Sequence, residues 1–359
     1  MTTATTLVRP TALAAPTALA VRVPAAFFGM VLGLAGLGTA WRAATALWGL
    51  PAAVGEAIMA LATITWIAVS ALYAAKWAWA RDVALTEWRD PVQCCFVGLA
   101  PVSTMLVALA VRPYAGPAAL ALAALGASGQ LAFMAYRVGG LWMGGRDPLT
   151  TTPVLYLPTV AGSFVAALAA GALGYPSLGT LAFGAGLFSW FALESVILHR
   201  LLVHEHLAVA LLPTLGIQLA PPVVGCVAWL GLTTGAPDRF ALALLGYGLL
   251  QTLVLLRLAR WIRTQPFAPS YWAFTFGAGA LATAAIRIAT RTELAAPGGD
   301  PAGWRWLAGG LFAGTNLVIG AVAVGTVRLA LRGRLLPPVP SSSRAQGVFA
   351  NQTGGAREA

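Results

Sequence analysis

Three histidines and a glutamate fall within eight residues of the string HRLLVHEHL: His199, His204, Glu205 and His206. Such a cluster could ligate a metal or titrate near neutral pH. It lies at the edge of an apolar run, so the simpler reading is a solvated link, and no metal site is expected. Glu194 stands a few residues upstream, in FSWFALESVILHR, about 8 Å from His199 at helical rise. A carboxylate inside an apolar run needs a partner. Glu194 is therefore either structural, paired with a basic group of a neighbouring helix, or a coupling carboxylate for protons. Glu56 opens another apolar run, where a helix N-terminus favours negative charge. Cys94, Cys95 and Cys226 have no zinc spacing and read as small core residues. There is no P-loop, HExxH, CxxC pair or nucleophile elbow. Neither an enzyme nor a cofactor is expected.

The elements that position these residues follow from composition. Hydrophobic residues make up 59% of the 359 and charged residues 9%, and the mean hydropathy is +0.80. A water-soluble chain of this length needs more charge to cover its surface. Apolar runs long enough to cross a bilayer recur along the chain. The expected fold is an all-α polytopic membrane protein with spans at about 24–44, 52–77, 91–111, 114–137, 153–174, 178–199, 213–233, 239–260, 267–289 and 304–330. The odd spans begin about 60 residues apart, which suggests five repeats of one helical hairpin. Pro101, Pro158, Pro221 and Pro222 lie inside odd spans. A proline inside a helix frees a carbonyl that lipid cannot satisfy. The odd helices are therefore expected inside, along a cavity, with the even helices around them. Residues 1–22 and 335–359 are expected to be disordered tails flanking a channel domain at 23–334. Pro10 and Pro16 argue against a signal peptide at the start.

The formal net charge of +11 flanks the spans and gives no nucleic-acid footprint. Sixteen of the 22 Lys and Arg residues fall on the side of the even-to-odd links and the tails. The positive-inside rule then makes both termini cytoplasmic. All basic residues but Lys76 are Arg, which suggests a GC-rich bacterial genome and hence a bacterial inner membrane. Almost no acidic residue lies deep in a span. Ion-coupled transporters and cation pores use such carboxylates, so their scarcity favours an anion pathway.

Five strings carry a family resemblance: FFGMVLGLAGLGTAWR (27–42), TTPVLYLPTVAGSF (151–164), GALGYPSLGTLAFGAGLFSWFALESVILHR (171–200), PTLGIQLAPPVVGCVAWL (213–230) and QPFAPSYWAFTFGAGALAT (265–283). The chain resembles the tellurite-resistance/dicarboxylate transporter family, which includes relatives of the slow-type anion channels of plant guard cells. The resemblance implies five helical hairpins around a quasi-fivefold axis, with odd helices lining a pore in each protomer of a homotrimer. It also implies passive, voltage-independent conduction of small monovalent anions such as chloride and nitrate, and a phenylalanine of the ninth span as the gate. By motif that gate is Phe276 in FTFG, with Phe274 as the alternative. On residues alone, Phe276 would be taken as core packing.

Phe276 lies about 15 Å from both Pro266 and Arg287 at helical rise, near mid-membrane. Tyr271 and Trp272 are expected in an interfacial belt. The Gly/Ala run after Phe276 is expected to be the space it plugs, with Gly277 and Gly279 leaving room for the ring to move. Gly33, Pro101, Pro158 and Pro222 are the expected pore-lining residues on the other odd helices. The rival reading is a proton-coupled secondary transporter of C4-dicarboxylates or tellurite, for which Glu194 is the available titratable group.

Overall fold

A computed structural model describes residues 15–295 and 302–337. Among the described residues ten helices are long and apolar enough to cross a membrane. They are α1 (Ala25–Trp48), α2 (Ala52–Trp79), α3 (Cys94–Val111), α4 (Gly116–Trp142), α5 (Pro153–Ala172), α6 (Pro176–Val203), α7 (Val209–Leu232), α8 (Arg239–Ile262), α9 (Pro269–Ala295) and α10 (Ala302–Leu331). Among the described residues there is no strand.

Odd and even helices occupy different layers. In the most apolar stretch of each odd helix 61–78% of residues are buried, against 22–28% in the even helices. The odd helices close a ring, α1 against α3, α3 against α5, α5 against α7, α7 against α9 and α9 back against α1. Each even helix packs on its own odd partner and on the next one round, and α10 closes the outer layer by touching both α9 and α1. The outer helices turn Ile64, Leu125, Leu181, Phe188 and Leu317 outward, each more than 60% exposed, as lipid-facing positions require.

The two classes also differ in backbone. The five outer helices are uninterrupted. Each inner helix starts irregularly at one end and becomes regular at the other. In α1 and α9 the 3₁₀ turns Ala25–Phe27 and Pro269–Phe274 precede the α-helical part. The α7 helix opens with eleven 3₁₀ residues around Pro213, and α5 has a π turn at Leu157–Ala161 containing Pro158. The α3 helix is divided at Gly98. Pro101, Pro221 and Pro222 stand in the first turn after the break, where a missing N–H costs nothing. The irregular ends share one side of the molecule, termed the near side; the regular ends lie on the far side.

Polar clamps fix both ends of the bundle. On the near side Glu87 accepts the Ala25 N–H at 2.7 Å and pairs with Lys76 at 2.6 Å. Lys76 also donates to the Val23 carbonyl, so the start of α1 is held by a buried ion pair. Arg22 donates to the carbonyls of Pro337 and Leu336, which brings the two ends of the described chain together. Residues 15–22, expected in a disordered tail, form a helix packed on α2. Residues 1–14 and 338–359 lie outside the described residues.

Candidate functional site

Two cavities lie along the axis of the inner ring. The near cavity, about 550 Å³, and the far cavity, about 540 Å³, are each lined by residues from all five inner helices. Two residues line both: Phe276 and Val224. The axis is therefore divided where the Phe276 ring, from α9, meets Val224 of α7. Gly36 of α1 supplies a third wall: a Cβ there would stand 3.3 Å from Phe276 Cδ2.

Local backbone explains why this phenylalanine reaches the axis. Phe276 is the second residue of the α-helical part of α9, just past the 3₁₀ stretch. From there Phe276, Ala280, Thr283, Arg287 and Arg291 recur every three or four residues along the cavity wall, one face of an α-helix. Phe274 points elsewhere. Its ring fills the space beside Gly216, where a Cβ would come within 2.6 Å of it. It also extends a stack through Tyr271 to Phe267, with centroids 6.3 and 5.6 Å apart. Of the two candidate gate rings, Phe276 alone borders the axis.

The other expected lining residues fall just off it. Gly33 faces α9, where a Cβ would lie 2.7 Å from both Thr275 Cβ and the Trp272 ring. It is a packing position, and Gly29, Leu32, Gly36 and Thr39 line the cavities instead. Pro101 packs towards Gly129 of α4. Pro158 turns its carbonyl to Gln130 of α4, which donates at 2.6 Å. Pro222 is buried, while its neighbour Pro221 lines the near cavity. These prolines shape the inner helices from behind.

The Gly/Ala run divides in the same way. Ala280 and Thr283 border the far cavity. Gly277 is filled by Leu219 and Ala220, and Gly279 lies against the backbone of Gly36, where a Cβ would be 2.7 Å from its carbonyl carbon. Neither glycine leaves open space; both let helices touch. Trp272 is buried and donates to Thr326 Oγ1 of α10 at 2.9 Å. Tyr271 donates to the carbonyls of Ile262 and Gln265 at the end of α8. Both rings hold α9 in place.

Among the described residues Glu194 has no cationic partner. It accepts from Tyr156 Oη, Trp190 Nε1 and Tyr247 Oη, which ties α5, α6 and α8 together. Tyr156 lines the near cavity, so the carboxylate is one hydrogen bond behind the cavity wall. His199, His204, Glu205 and His206 are exposed on the near side. Among the described residues no three His, Cys, Asp or Glu side chains converge on a metal-sized site.

Charge separates the cavities. The near cavity is walled by Phe27, Phe96, Leu99 and Trp272, with Arg334 at its rim. The far cavity is lined by Arg42, Arg112, Arg287 and Arg291 and by no carboxylate. Sequence reading missed this grouping. Its signal is the spacing of Arg287 and Arg291 from Phe276 along one face of α9.

Comparison with known proteins places the chain in a family. The SLAC1 family, described as voltage-dependent anion channel, matches residues 22–327. The chain belongs to this family. It is 37% identical to the tellurite resistance protein TehA homolog of Haemophilus influenzae over 264 residues, covering 73% of this chain and 80% of that protein. It is 24% identical to the guard cell S-type anion channel SLAC1 of Arabidopsis thaliana over 75% of this chain and 50% of the relative. The S-type anion channel SLAH3 of the same plant is 23% identical over a similar share of this chain and 43% of its own length. Family membership spans every string on which the resemblance rested.

Proposed function

We propose that the protein is a passive channel for small monovalent anions such as chloride and nitrate, closed at Phe276. One observation carries this reading: the Phe276 ring borders both cavities at the point where they meet. A ring in an apolar constriction blocks an ion by bulk and by excluding water. Selection for anions fits the far cavity, where Arg42 is paired with Glu56 but Arg112, Arg287 and Arg291 have no carboxylate partner among the described residues, since a cleft with an excess of one sign of charge in low-dielectric walls concentrates counter-ions. Conduction is then driven by the electrochemical gradient, without voltage gating. The near side is cytoplasmic, the membrane is a bacterial inner membrane, and three copies assemble with one pore each. Tellurite resistance, named for the Haemophilus relative, is on this reading a consequence of permeability.

The test is anion current in a planar bilayer or an oocyte. Phe276→Ala should pass chloride and nitrate at roughly ten times the wild-type current or more, since each 1.4 kcal/mol removed from a barrier is tenfold in rate. Equal, negligible currents in both, with both proteins at the membrane, would discard the gate. Proton-coupled transport is supported by the contact of Glu194 with the cavity-lining Tyr156. It requires saturable, pH-driven uptake of a dicarboxylate or tellurite that Glu194→Gln abolishes.

A further inference from the structure

The four arginines of the far cavity are not equivalent. Arg42 uses four of its five N–H donors: it pairs with both Glu56 oxygens and donates to the carbonyls of Leu109 and Ala110 at the end of α3. Arg291 serves the end of α7, donating to the carbonyls of Leu230 and Thr233 and to the Thr233 hydroxyl. These two guanidiniums satisfy the last, otherwise orphaned carbonyls of neighbouring inner helices. Arg112 is exposed at the mouth.

Arg287 differs from all three. It is partly buried in the wall, and among the described residues it makes one hydrogen bond, a long one, Nη1 to the Val227 carbonyl at 3.3 Å. A guanidinium carries five N–H donors, so most of its donors have no protein acceptor. No carboxylate among the described residues pairs with it. Neither hydroxyl that shares its face accepts a hydrogen bond from it: Thr283 and Thr290 each donate to their own helix, to Gly279 and Ile286, and receive nothing from Arg287. Arg291, one turn on, is a like charge at close range. The Arg287 guanidinium also has room beside it, because its Nη1 borders Gly231, where a Cβ would be 3.9 Å away.

We infer that Arg287 is a binding site for a small monovalent anion, held in the far cavity about 16 Å along α9 from Phe276. The inference gives the proposed channel its capture site and rests on that reading for its role. A planar oxyanion such as nitrate can take two parallel N–H bonds from one guanidinium fork, and a halide can take them as a point charge. The site is complete while Phe276 closes the axis, so it fills in the resting protein.

Bromide is the probe, because its anomalous scattering marks its position. Crystals of the wild-type protein in bromide should show an anomalous peak within hydrogen-bonding distance of the Arg287 guanidinium. In detergent, replacing gluconate by bromide or nitrate at constant ionic strength should raise the wild-type thermal midpoint, as any ligand of the folded state does. Arg287→Gln should shift the half-saturating concentration upward about tenfold or abolish the rise, while Arg287→Lys should keep part of it. Peaks at Arg42, Arg112 or Arg291 with none at Arg287 would overturn the inference, and so would an anion response unchanged in Arg287→Gln. If neither variant folds, the wild-type bromide map decides. The two readings fail separately. A bromide peak at Arg287 with no current from Phe276→Ala keeps the site and removes the channel; the reverse keeps the channel and removes the site.

Discussion

The near and far cavities are built by the same five helices and have almost the same volume, yet they offer an ion opposite surroundings. The near cavity is framed by 3₁₀ and π turns and walled by aromatic and aliphatic side chains. The far cavity is framed by regular helix ends and holds four guanidiniums. The difference comes from where each helix is broken. Irregular backbone at the near ends turns bulky rings inward, whereas regular α-helix at the far ends repeats one face every three or four residues and stacks Ala280, Thr283, Arg287 and Arg291 in line. Under the proposed function, similar volume conceals a division of labour, with desolvation on one side and attraction on the other.

The sharpest way to break this comparison is to widen each side in turn. Phe276→Ala removes the shared wall and should raise chloride current roughly tenfold or more. Phe96→Ala enlarges only the near cavity and should leave current at the wild-type level in the same recording. Refilling is the next largest effect. In the Phe276→Ala background, Gly36→Val puts bulk back against the constriction and should reduce the current severalfold, to within about a factor of three of wild type. Phe274→Ala separates packing from gating. It should cost about 2–3 kcal/mol, read as a lower thermal midpoint in detergent, because it empties the space beside Gly216, and it should not open the pore. Arg112→Ala probes the mouth charge. In an open-pore background it should lower current about twofold at 0.01 M salt and have no effect at 1 M, where exposed charges are screened. Glu194→Gln should have the smallest effect. Passive current should be unchanged, with about 1 kcal/mol lost because an amide cannot accept all three donors.

The architecture was legible because bilayer length and hairpin period are coarse signals. Ten apolar runs, their spacing and the prolines of the odd runs sufficed to place inner and outer helices. The helix Ala15–Arg22 and the short helix Arg81–Arg89 were not expected, since neither is long or apolar enough to stand out. Facing was the harder problem. Gly33 and Gly36 are the same residue type on one helix, yet Gly33 packs on Thr275 and Gly36 walls the constriction. From Phe28 to Gly38 the wall and the packing faces of α1 are alike apolar, so the wall there has no contrast of hydropathy with the packing faces. Pro101 and Pro158 marked the right helices but the wrong faces, because a proline bends a helix from whichever side its ring can be packed. Arg287 and Arg291 were visible as charges, but their roles depend on which carbonyls of α7 come within reach. Only the packed ring shows that Arg291 is occupied and Arg287 is not.

Gly36 and Gly279 touch backbone to backbone where α1 meets α9, the one joint of the inner ring that lies between the first and the last hairpin. Four joints of that ring join successive hairpins, whereas this one closes on packing alone. It is also the joint that carries Phe276. During synthesis the helices enter the bilayer in chain order, so α1 waits for its neighbour until nearly the whole chain has emerged. A chain halted before α9 has neither a closed ring nor an obstruction, and the completed chain acquires both at once. On the proposed reading of Phe276 as the gate, the order of insertion ties the appearance of a conduit to the appearance of its stopper, and synthesis passes through no stage with a finished but unsealed hole.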